Sequence, residues 1–216
     1  MKRVIILGAS LLTFSVGVPI AVSSSLRSIP IPSTNHHKTT ARQVVGVERL
    51  YGFPVSRSHA SYIAPADIEE MIQRSDLIVI GKTSKNVTQG KAVIPRADDG
   101  TIYGVYTEVP FKITKTFKGD KNLKEITLGE AASVIPSENG KPAYIQIVGE
   151  YTPVEPNTRY LMFLKKPTPE TDNPNLYVPI GVAYGQHNLT SDAEEKKFPD
   201  YAFKTLRKLV RERFKE

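Results

Sequence analysis

The chain has 216 residues, a formal charge of +7 at pH 7 and no cysteine. Without a thiol it can form no disulfide, thiolate nucleophile, Cys-type zinc site or lipid thioether, so its stability must come from an apolar core. The charge is uneven: residues 24–216 carry +5, and residues 201–216 alone carry +4, which makes a near-neutral body with a basic tail.

Met1-Lys2-Arg3 precedes an uncharged stretch from Val4 to Val22, with small residues at Ala21, Ser23 and Ser24. A basic head, an apolar body and a small-residue exit make an export signal over residues 1–23. Cleavage after Ser23 is one outcome. Retention as a signal anchor is the other, because the stretch just reaches the length of about 20 residues that a spanning helix needs. Both place the body of the protein outside the cytoplasm, secreted or anchored. Residues 24–60 are rich in Ser, Pro, Thr and basic groups and are expected to form a flexible arm. Val44, Val45, Val47 and Leu50 are candidates for a short element within it.

Order is expected from Pro65, which suits the first turn of a helix. Ile68, Met71 and Ile72 follow at helical spacing, with Asp67, Glu69 and Glu70 near the positive end. Strands come next. Leu77 to Ile80 is a continuous apolar run, the mark of a strand buried on both faces. From Val105 to Lys118 the chain alternates, with Val105, Thr107, Val109, Phe111, Ile113 and Phe117 on one face. Pro110 interrupts the donor ladder of that long strand and predicts a bulge or an edge. Gly119 to Asn122 is a turn. Further strands are expected at 123–128, 144–148, 160–164 and 176–180. Pro199 opens a last helix carrying Phe203, Leu206, Val210 and Phe214 as an apolar stripe. The fold class is mainly β: several short antiparallel strands with Gly, Pro and Asn between them make a closed barrel or a sandwich, with helices before and after it. The barrel domain with its leading helix spans residues 61–190, and residues 191–216 form the basic amphipathic helix.

The usual carriers of chemistry are sparse. His36 and His37 lie in the arm, and together with His59 and His187 they read as solvated loop histidines. Gly81-Lys82-Thr83 lacks the glycine five positions upstream that a phosphate loop needs, since Asp76 stands there. There is no Gly-x-Ser-x-Gly elbow. Asp98-Asp99-Gly100 reads as a turn rather than a calcium loop. Asn86-Val87-Thr88 and Asn188-Leu189-Thr190 match the glycosylation pattern, which matters only in a eukaryotic secretory pathway. Glu69-Glu70 and Glu194-Glu195 read as solvated charge. No catalytic residue, metal set or cofactor is expected. The remaining candidate site is the basic helix, where Lys204, Arg207, Lys208 and Arg211 would face an anionic lipid or surface polymer. An unidentified protein is the other partner class. Nucleic acid is disfavoured, because the tail lacks interleaved exposed aromatics.

Three segments carry a family resemblance. Ser75-Asp76-Leu77-Ile78-Val79-Ile80-Gly81-Lys82 resembles the opening strand of netrin-like domains of the tissue-inhibitor-of-metalloproteinase type. Phe111 to Gly119 is similar to their long strand ending in a Lys-Gly turn, and Arg159 to Leu164 to their later Tyr-Leu strand. The resemblance covers residues 75–185 and implies an OB-type barrel of five strands. It does not extend to inhibition, because the inhibitors chelate zinc through an N-terminal Cys and this chain has none. The function expected is an exported, non-catalytic binding module acting through the barrel surface and the basic helix. The alternative is an exported hydrolase.

Overall fold

A computed structural model describes residues 48–59, 63–102, 104–137, 139–168, 171–191 and 201–214. The expected export signal, the first part of the expected arm and the connection through Pro199 lie outside the described residues. Five strands close a barrel: β3 (Leu77–Lys82), β5 (Tyr106–Lys118), β6 (Glu125–Glu130), β9 (Tyr160–Lys165) and β10 (Leu176–Pro179). β3 pairs with β5 and β9, β5 with β6, and β10 bridges β6 and β9. Counted along the chain, the barrel order is 1-2-3-5-4-1, the OB arrangement. Its seams are antiparallel except where β10 joins β6 in parallel, Leu176 opposite Thr127.

Side-chain alternation explains the continuous apolar runs. In β3, Leu77 and Val79 fill the barrel, while Ile78 and Ile80 face outward beneath the helices. In β9, Tyr160, Met162 and Leu164 point inward, and Leu161 and Phe163 outward. Both strands are buried on two faces, so neither shows the alternation of a half-wet strand. Each such side chain contributes about 1.5–3 kcal/mol by leaving water.

The helix α1 (Ile68–Arg74) starts later than Pro65 suggests. Asp67 is its cap, accepting from Glu70 N at 2.8 Å, while Glu70 Oε2 accepts from Ala66 N at 2.6 Å. Together they satisfy amides that the first turn leaves open. The final helix, α2 (Tyr201–Arg213), docks its stripe against α1, β3 and β9. Phe214 meets Phe117 edge-on at 4.9 Å and Phe163 at 5.4 Å.

The long strand departs from simple alternation. Its pairing with β3 shifts register between Ile78/Val79 and Ile80/Gly81, each time with an extra residue in β5. Ile113 still packs with the barrel interior, but Phe117 packs with the helix-side core. A bulge changes the parity of everything beyond it. Gly81 sits at one such shift, where a Cβ would lie 2.3 Å from Lys112 O. Pro110 occupies a local edge. β4 (Lys91–Val93) pairs with β5 only up to Glu108, and β3 ends at Lys82, opposite Lys112. Ile113 N–H points to Lys124 O in the β6 direction, so by alternation Pro110 faces the open side and no ladder bond is lost.

A second sheet runs in the order β1-β2-β8-β7, formed by Arg49–Leu50, Phe53–Ser58, Pro142–Val148 and Ala132–Pro136. Residues 48–58 therefore do not behave as an arm. β2 pairs in parallel with β8, Val55 opposite Ile145. A short β11 (Gln186–Asn188) flanks β9, Gln186 opposite Met162.

Candidate functional site

The four basic residues singled out on the tail separate into two pairs. Lys204 and Lys208 are exposed, as a solvated face requires. Arg207 is 0 % exposed. It lies four residues after Phe203 and three before Val210, so it shares the docked face rather than the wet one. Its Nη2 donates to Asn188 O at 2.9 Å and to Ser191 O at 3.0 Å. The half-buried Arg211 donates to Asn188 O at 3.2 Å. These carbonyls are presented by a turn in which Asn188 Oδ1 accepts from Thr190 N and Ser191 N. The expectation of one basic face through all four positions is thus corrected. Arg207 is a buried clamp between helix and barrel, because a guanidinium that finds several carbonyl acceptors offsets its desolvation.

The same turn corrects the reading of His187. It is fully buried, stacked on Phe203 at 6.4 Å and edge-on to Phe163 at 5.6 Å. Burial, then the charges of Arg207 and Arg211, push its pKa down to about 3, so it is neutral at physiological pH. His59 is exposed. His36 and His37 lie outside the described residues.

One titratable group escaped the sequence reading. Glu130 ends β6 and is 0 % exposed. Its Oε2 accepts from Val154 N at 2.8 Å. Burial pushes its pKa up to about 8, against hydrogen bonds from Val154 N–H and Tyr151. The Tyr51 hydroxyl is driven up to about 12 by burial and then by the charges of Glu130 and Glu155. Close by in the chain, Glu155 N–H donates to the Tyr160 hydroxyl at 3.0 Å. Glu130 is thus a protonated carboxylic acid at neutral pH. The signal was present: Ile126 and Leu128 point into the barrel, and continuing that alternation by one step puts Glu130 on the same face.

The opposite face of β6 borders a cavity of about 580 Å³. Gly129 and Ala131 meet it from one wall, and Leu176 and Val178 of β10 from the next. Val105 and Val148 add further apolar surface. Gly129 matters here, since a Cβ on it would come within 3.0 Å of Val178 Cγ1. Polar groups reach the cavity from Arg74, Tyr106, Lys165 and Thr171. Arg74 is engaged, donating to Glu70 Oε1 and Ile63 O, each at 3.3 Å. Lys165 is half-buried, and its ammonium makes no hydrogen bond or ion pair among the described residues.

No protein-family model and no curated protein matches the chain. The site must therefore be read from its geometry. A concave apolar cavity of this size with a few polar groups at its walls is what a small-molecule or apolar side-chain ligand occupies. Glu130 points away from it on the other face of the strand, so this carboxyl group with its raised pKa is separated from the cavity by the sheet.

Proposed function

We propose that this protein is an exported, non-catalytic binding module whose principal ligand site is the cavity outside β6 and β10. The observation that carries this reading is the 580 Å³ of space bounded by Gly129, Ala131, Leu176 and Val178. Its size falls within the range of about 300–1,000 Å³ typical of ligand sites. The sealed position of Glu130 supports a binding role over hydrolysis, because a general acid must reach its substrate. Export rests on the Met1 to Ser24 pattern, and the barrel order supports kinship with netrin-like domains at the level of architecture. Contact with an anionic surface through the tail is a secondary role, now resting on the exposed Lys204 and Lys208.

Two measurements test this. N-terminal sequencing of the protein recovered from the cell exterior is expected to show either removal of the first 23 residues or an anchored chain; intact chain confined to the cytosol overturns export. The cavity is tested with 1-anilinonaphthalene-8-sulfonate. Its fluorescence should rise on binding to the parent and be reduced at least tenfold by Ala131→Phe, which fills the space. Equal fluorescence from both proteins overturns the cavity as the site.

A further inference from the structure

We infer that the cavity takes a single-chain amphiphile with an anionic head group, such as an aliphatic carboxylate, with the Lys165 ammonium as its counter-charge. This rests on the binding reading above. The side chains of Val105, Ala131, Val148, Leu176 and Val178 that line its walls are hydrocarbon. They satisfy a chain that asks for no hydrogen bonds. Lys165 pairs across the strands with Val178, so its aliphatic stem starts on the apolar wall. A long cationic side chain lays its stem along apolar surface and carries its charge to the rim. Among the described residues that charge has no acid, so it is available to form a charge-assisted hydrogen bond with an anionic head group, which is stronger than a neutral one. Arg74 is the other cation of the cavity, and its bond to Glu70 leaves it partly neutralised.

The remaining charges set the direction of the ligand. Glu108 and Asp172 act on the Tyr106 hydroxyl and, after burial, help to raise its pKa. An anion beside Tyr106 would meet that negative field. The head group therefore belongs with Lys165 and the tail along β10 and β6. A neutral alcohol of the same chain length keeps the tail contacts and loses only the charge, and a quaternary ammonium reverses it.

The test uses the full chain and calorimetric titration with dodecanoate, dodecanol and dodecyltrimethylammonium, each below its aggregation concentration. The parent is expected to bind dodecanoate at least tenfold more tightly than either of the others. Lys165→Met keeps the stem volume and should remove that preference while leaving dodecanol affinity within about twofold. Ala131→Phe should weaken dodecanoate and dodecanol together. Val178→Phe serves the same purpose if Ala131→Phe fails to give a native circular dichroism spectrum. Equal binding of dodecanoate and dodecanol by the parent, or a preference that survives Lys165→Met, overturns the anionic head group and leaves the cavity reading standing. Binding indifferent to the filling substitutions, or no binding of any probe, overturns both.

Discussion

Arg207 shows how a charge on a helix misleads when the helix is considered alone. It is fully buried against Asn188 O and Ser191 O, whereas Lys204 and Lys208 on the same helix are exposed. Hydrogen bonds to a charged group are worth about 1.5–3 kcal/mol, and Arg211, at 3.2 Å from Asn188 O and 3.5 Å from Ser191 O, replaces them only in part. Arg207→Ala is therefore expected to lower the unfolding free energy by about 2–4 kcal/mol in urea denaturation. Lys204→Gln and Lys208→Gln should each stay within about 0.5 kcal/mol of the parent. Neutralising all four positions together would thus cost stability through Arg207, contrary to the sequence-based picture of one solvated face. A parent-like midpoint for Arg207→Ala would remove the clamp.

At the scale of elements, two local devices hold the barrel in register. Gly81 permits β3 to approach β5 at a bulge, with Lys112 O only 2.3 Å from where a Cβ would stand. Gly81→Ala must force the strands apart, and overpacking of this kind costs about 1–3 kcal/mol. Asp67 caps α1 through Glu70 N. Asp67→Ala should cost about 1 kcal/mol, with Asp67→Asn nearly harmless. Thermal unfolding of the three variants checks both points; a Gly81→Ala midpoint equal to the parent's would show that β5 yields freely. Legibility varied among the elements for physical reasons. β3, β5, β6, β8, β9, β10 and both helices announced themselves through runs of apolar residues at a fixed period. β2 did not, because Phe53–Ser58 is polar at one end and is stabilised by a parallel partner that begins near Ile145. β7 and β11 are short and gain their burial from neighbours rather than from a pattern of their own.

For the whole molecule, Glu130 and His187, both buried, shape stability against pH in opposite directions. Glu130 is raised from 4.5 to about 8, so the folded state holds its proton more tightly than the unfolded chain. The stability it contributes is complete below pH 4.5 and is lost as pH rises to about 8. His187 is lowered from 6.5 to about 3. Its contribution is complete above pH 6.5 and is lost as pH falls to about 3. Between pH 4.5 and 6.5 the two slopes cancel. On either side the pair contributes a decline of about 1.4 kcal/mol per pH unit. Urea denaturation across this range should show Glu130→Gln flattening the alkaline limb and His187→Phe the acid limb. An alkaline limb unchanged by Glu130→Gln would mean that Glu130 is ionised in the folded protein.

The sequence by itself determined the fold class, the strands of the barrel and the docking stripe of α2, because period and apolarity are carried by near neighbours. It also limited Pro110 to a bulge or an edge and made the Gly119 segment a turn, both backbone effects of a single residue. Only the tertiary structure decided which buried positions are polar. Arg207 is inside because a turn at Asn188 brings carbonyls to it, and His187 is neutral because Phe203 and Phe163 exclude water around it. Closure of β10 against β6 likewise depends on partners some 50 residues apart, Leu176 and Thr127, and the cavity exists only between elements so joined. Each of these rests on chain segments distant in sequence meeting in space, which no local pattern records.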